Sequence, residues 1–102
     1  MSKKIMPRIR THPGEVLNEE FLIPLKMSAR ALAAEIDVPA NRITEIIRGE
    51  RSVSADTAIR LGRYFRTSSQ FWLNLQQNYD LSQAERDGNF TKIKPRKAEH
   101  AA

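Results

Sequence analysis

The chain's 102 residues suffice for one domain with a modest core and are too few for two ordinary ones. An apolar fraction of 40% and a charged fraction of 28% are those of a globular protein, and no apolar run approaches the roughly 20 residues of a membrane span, so no membrane association is expected. The absence of cysteine excludes disulfides and thiolate metal sites. The net charge of +5 sits at the ends. Residues 1–10 carry four bases and no acid, and residues 86–102 carry five bases against two acids. That leaves eight bases and ten acids in 11–85. The basic ends suit phosphates and equally suit solvated tails. The opening Met1-Ser-Lys-Lys-Ile-Met-Pro has charge but no apolar segment behind it, so it does not read as a secretory signal, and a cytoplasmic location is expected.

Helical periodicity dominates and no alternating strand pattern appears, which predicts an all-α fold of five helices. A basic arm over 1–11 precedes the folded domain, taken as 12–85. Helix one opens at Pro13, with His12 as its cap, and runs to about Leu22; it buries Val16, Leu17 and Phe21 before Ile23-Pro24 stops it. Residues 28–49 form the most informative stretch. Leu32, Ala33 and Ile36 share one face of a short second helix, and Ile43, Ile46 and Ile47 form the apolar stripe of a third. Asp37-Val38 turns the corner between them, Ser28 caps the second helix and Pro39 suits the first turn of the third. Small Ala33 sits where two steeply crossing helices meet, and the whole reads as a helix-turn-helix.

After Gly49 comes a polar loop, and Ser54 caps a fourth helix with Asp56 in its first turn, burying Ala58, Leu61 and Phe65. Thr67-Ser-Ser-Gln70 has the form of a capping box and begins a fifth helix from Phe71 to about Ala84. Beyond it, residues 86–102 read as a flexible basic tail.

The isoleucines of the third helix must face the core, so its other positions face outward. Among these, Asn41 suits adenine, Arg42 suits guanine through two hydrogen bonds, and the methyl groups of Ala40 and Thr44 suit thymine. Phosphate contacts fall to Arg48 and Arg51 at the far end and to Ser28 and Arg30 on the other side. Glu45 counts against DNA contact unless it reads a cytosine or braces Arg42 or Arg48, which lie at helical spacing from it. The alternative is that all of these are ordinary solvent-facing residues.

Phe71 and Leu75 read as core, while Trp72 and Tyr79 are open between core and a dimer interface, where aromatic residues serve well. No catalytic constellation, cofactor site or metal site is expected. His12 and His100 are far apart, the glutamates of helix one have no basic partner, and the four glycines are scattered.

Together, His12-Pro-Gly-Glu-Val-Leu17, the helix-turn-helix, Arg-Gly-Glu-Arg-Ser at 48–52, Asp56-Thr-Ala-Ile-Arg-Leu61 and Phe71-Trp-Leu-Asn-Leu-Gln76 resemble the HigA-type antitoxins of the Cro/C1 (XRE-like) helix-turn-helix superfamily. The resemblance runs from about His12 to Leu81. It departs at Lys26 and Asp37, which stand at turn positions where glycine is frequent, and in the tail after Arg86. It implies a Cro/C1-type (lambda-repressor-like) fold and a homodimer that binds a palindromic operator and represses its own operon. It further implies a partner toxin of HigB type, a small RelE-like mRNA endonuclease. By position the DNA-reading residues fall on Asn41, Arg42 and Thr44. Two other readings stand beside this one: a stand-alone repressor without a toxin, and a helical protein-binding adaptor.

Overall fold

The computed structural model describes residues 10–97, and among these the chain forms five helices and no strand. The basic arm expected over 1–11 lies outside the described residues except for Arg10 and Thr11, as does the tail beyond Lys97. Helix α1 covers residues 13–25, α2 Ala29–Glu35, α3 Ala40–Ile47, α4 Ala55–Phe65 and α5 Ser69–Asp87. Side-chain caps open four of the five. His12 Nδ1 accepts from the Gly14 amide at 2.9 Å, Ser28 Oγ from Ala31 at 3.0 Å, Ser54 Oγ from Thr57 at 3.3 Å and Ser68 Oγ from Phe71 at 3.0 Å. The expected capping box at Thr67 does not form, and the cap is Ser68, one residue later. The Thr67 hydroxyl instead accepts the indole N–H of Trp72 at 2.8 Å, and the Gln70 amide turns to Asn74.

Pro24 does not end α1. A proline there removes one helical N–H and drives its ring toward the carbonyl four residues back. The helix absorbs this by widening over Leu17–Leu22, where the Ile23 N–H reaches back five residues to the Asn18 carbonyl, and it continues through Pro24 to Leu25.

The first four helices end alike. An amide two or three residues past each helix bonds a carbonyl five residues back: Met27 to Leu22, Val38 to Ala33, Glu50 to Glu45 and Thr67 to Gly62. Each such terminus needs one left-handed residue, here Lys26 (φ 56°), Asp37 (φ 61°), Gly49 (φ 76°) and Arg66 (φ 63°). Only one of the four is glycine. The two turn positions where Lys26 and Asp37 replace the more frequent glycine are thus true left-handed positions, held by the surrounding hydrogen bonds.

Helix α2 packs on α3 and α4 on α5, while the first turn of α1 lies against α3 and α5. Leu17, Leu22, Leu32, Ile43, Ile46 and Leu61 fill the centre, and Ala33 on α2 is buried with them. Val16, Phe21 and Phe65, expected in the core, pack partly buried against it. On α5, Trp72, open in the sequence between core and a dimer interface, belongs to the core, and Phe71, expected there, stays at the surface. Trp72 is 0% exposed within the protomer, with Phe21 and Phe65 against it at ring-centroid separations of 5.2 and 6.5 Å, whereas Phe71 keeps 38% of its surface in water. An indole removes some 200 Å² from water, on the order of 5 kcal/mol of gross transfer free energy. Its N–H partner, Thr67, removes the remaining obstacle to full burial. Trp72 is therefore core and offers no surface to a partner. Tyr79 is half-buried, its ring edge-on to His12 at 4.7 Å.

Helix α5 runs three residues beyond Ala84. Residues 88–97 are exposed and carry only local bonds, including a turn closed by Ile93 N–H on the Phe90 carbonyl.

Candidate nucleic-acid interface

The corner between α2 and α3 is pinned from outside the motif. Asp37 takes the left-handed conformation, and the two carbonyls exposed there, Ile36 and Asp37, accept from Arg60 Nη1 at 2.8 and 3.3 Å. A cation at the carbonyl end of a helix is favourably placed. Arg60 also donates from Nε to Asp56 Oδ2 at 2.9 Å, so α4 holds the corner through one guanidinium. Sequence reasoning misses this role. The Asp56–Arg60 spacing of one helical turn is visible in the chain, but the reach back to residues 36 and 37 is not local.

The other end of α3 is fixed by the His12-Pro-Gly-Glu segment. Gly14 lies so close to α3 that a Cβ on it would sit 1.7 Å from the Ile46 carbonyl oxygen, and the His12 ring lies beside Gly49. Below α3, the buried Gln76 accepts the Val53 amide at 2.8 Å and donates to Asp80 at 2.9 Å, tying the loop after α3 to α5. The first amides of α3 have no side-chain cap, because Pro39 occupies that position.

On this frame the side chains expected to face outward divide. Asn41 and Arg48 are exposed, and so are Ser28, Arg30 and Arg51. Ala40, Arg42, Thr44 and Glu45 are half-buried, which corrects the expectation of a fully exposed face. The causes differ. Ala40 packs against the core, Thr44 Oγ1 donates back to the Asn41 carbonyl at 3.2 Å, and Arg42 and Glu45 are held by charged partners. Arg42 Nη1 lies 3.3 Å from Asp56 Oδ2. Glu45 does brace an arginine, but it is Arg51, Nε to Oε1 at 2.8 Å, rather than Arg42 or Arg48. Gly49 folds the chain back on α3, which brings residue 51 beside residue 45. Arg48 pairs with Glu50 at 3.8 Å. Exposed pairs of this kind are worth about 0–1 kcal/mol, so a phosphate competes with them readily. Among the described residues Arg30 has no carboxylate at salt-bridge distance.

Asn41 and Arg42 thus lie in the first turn of α3 next to the corner, Arg48 and Arg51 follow its far end, and Ser28 and Arg30 stand at the start of α2. Trp72 and Tyr79 lie elsewhere, in the core and against His12. No group of His, Cys, Asp or Glu capable of holding a metal ion occurs among the described residues. No helix among them is long and apolar enough to cross a membrane.

A helix-turn-helix family profile matches residues 19–72. Virulence-associated protein I of Dichelobacter nodosus is 53% identical over 85 residues, 83% of this chain and 77% of that protein. Among solved structures, the Pseudomonas aeruginosa protein PA4674 in complex with its operator DNA superposes with a TM-score of 0.81 at 46% identity, covering 84% of this chain and 96% of that one. The Pseudomonas aeruginosa antitoxin HigA with the higBA promoter gives 0.72 at 51% identity, covering 78% and 83%.

Proposed function

Because the chain belongs to the Cro/C1-type helix-turn-helix family and shares the fold of its HigA antitoxins, we propose that it is an operator-binding antitoxin. It represses its own operon as a homodimer in the cytoplasm and neutralises a HigB-type, RelE-like mRNA endonuclease. It carries no catalytic function of its own. The observation that supports this reading best is α3 itself. Ile43 and Ile46 are buried and Ile47 is half-buried against the core, while Asn41 is exposed and Arg42 half-exposed beside a corner pinned by Arg60.

In this reading α3 enters the major groove. Asn41 pairs with adenine, Arg42 with guanine, and the methyl groups of Ala40 and Thr44 lie near thymine. Arg48 and Arg51 neutralise phosphates at one end, and Ser28 and Arg30 do so at the start of α2. The amides behind Pro39 add donors for a phosphate. A two-fold dimer places its half-sites one helical turn apart, roughly 34 Å, or a multiple of that. The complexes of the Pseudomonas aeruginosa neighbours, one with its operator DNA and one with the higBA promoter, lend support to the DNA contact.

The toxin half of the proposal is tested by expressing the short reading frame adjacent to this gene. Its product should arrest growth, co-expression of this chain should restore growth, and the two should co-elute as one complex. A neighbouring product that is harmless and does not bind would leave a stand-alone repressor. Retained toxin binding without any affinity for DNA would leave a protein-binding adaptor.

A further inference from the structure

Asp56 stands in an unusual position relative to the outward face of α3. It opens α4, fourteen residues from Arg42 in sequence, and one of its oxygens takes two guanidinium groups: Arg60 Nε at 2.9 Å and Arg42 Nη1 at 3.3 Å. Arg60 is not a free partner. Its Nη1 is committed to the carbonyls of Ile36 and Asp37, so the carboxylate is tied through Arg60 to the corner of the helix-turn-helix. The chain of bonds runs from the corner to Arg60, to Asp56, to Arg42.

We propose that Asp56 is a positioning residue for base recognition, holding Arg42 through Nη1 so that its Nε and Nη2 edge is presented to one base pair. This rests on the reading of α3 as the helix that enters the major groove. The guanidinium chemistry favours it. A guanidinium has five donors in a fixed planar fork, and Nε–H and Nη2–H form an edge of two parallel donors. Binding Asp56 through Nη1 leaves that edge intact, and two parallel donors are what guanine O6 and N7 require. A flexible arginine would have to lose its rotamer freedom on binding DNA, and here the carboxylate removes part of that freedom beforehand. The alternative role for Asp56 is repulsive, since an acid close to phosphates weakens every DNA equally. The two roles have opposite signatures.

The test uses the full-length chain and the duplex that the wild-type protein selects from a randomised double-stranded library. Relative affinities are measured for single base-pair variants of that duplex, with wild type, D56N, R42A and the double variant, and thermal unfolding checks that each is folded. D56N keeps the shape and an acceptor oxygen while removing the charge. The expected result is a loss of about three- to tenfold on the selected duplex, confined to preference at the one base pair that R42A also relaxes. The salt dependence should be unchanged, and in the R42A background D56N should have no further effect at that base pair. R60M, which cuts the anchor but leaves Asp56 charged, should reproduce part of the loss. A merely structural role would weaken all duplexes in proportion to lost stability, and that outcome overturns the proposal. So does D56N binding every duplex more tightly. If R42A leaves all base preferences intact, or no sequence is selected at all, the failure belongs to the reading of α3 and removes the basis for the role of Asp56.

Discussion

Gly14→Ala is the substitution on which local propensity and tertiary packing disagree most. Gly14 sits in the first turn of α1, where alanine would ordinarily add about 1 kcal/mol of helix stability. Here a Cβ would meet the Ile46 carbonyl oxygen at 1.7 Å, the Ile46 carbonyl carbon at 2.6 Å and Ile47 Cα at 3.0 Å. Contacts below 3.0 Å essentially do not occur, so the two helices must part by at least about 1.3 Å. Both sides of the clash are backbone, so no rotamer change relieves it. Overpacking costs typically 1–3 kcal/mol and sometimes more, and backbone against backbone belongs at the upper end, about 3 kcal/mol net. For a domain of this size that is a fall in Tm of roughly 12–24 °C. Urea and thermal unfolding of the two proteins measure it directly. The displaced segment is the end of α3, so the folded fraction should also bind DNA less well. A variant as stable as the parent, or stabilised as propensity alone would have it, refutes the packing argument.

Lys26 holds a left-handed conformation that costs a residue with a Cβ roughly 1–2 kcal/mol, partly offset by the greater unfolded-state freedom of glycine. Lys26→Gly should therefore raise stability by about 0.5–1 kcal/mol, read from the urea midpoint at constant m. His12 caps α1 through an unprotonated Nδ1, and its pKa is lowered by burial, with the charge of Asp80 partly opposing. The unfolded chain therefore takes up this proton first. The stabilisation from His12 is complete above about pH 6.5 and is lost as the pH falls through the lowered folded-state value. Melting temperatures measured between about pH 7.5 and pH 5.5 should fall, and His12→Asn, which keeps a capping acceptor, should flatten that slope.

The helix-turn-helix was legible because its signals are local. Apolar spacing marked Leu32, Ala33, Ile36, Ile43 and Ile46 as buried, and residue chemistry marked Ser28, Ser54 and Asp37 as caps and corner. The failures came where a distant group decides the outcome. Pro24 reads as a stop, yet packing of α1 carries the helix past it through a widened turn. Trp72 and Phe71 are adjacent on one helix, and only the placement of Phe21, Phe65 and Thr67 determines that Trp72 turns inward. For Glu45 the sequence leaves open a cytosine contact or a brace to Arg42 or Arg48, and helical spacing does not reveal Arg51, which returns to it through the left-handed turn at Gly49. Arg60 and Gln76 went unnoticed as anchors, since each bonds across more than twenty residues.

The central claim is that α3 reads base sequence, and a gel-shift titration against the DNA upstream of this gene tests it most directly. The duplex is compared with an unrelated one of equal length, at two salt concentrations, for the wild type and Arg42→Ala. The account predicts selective binding that weakens with salt, and a loss of about 1–3 kcal/mol on Arg42→Ala together with a relaxed preference at one base pair. Binding that is indifferent both to sequence and to Arg42 would contradict it.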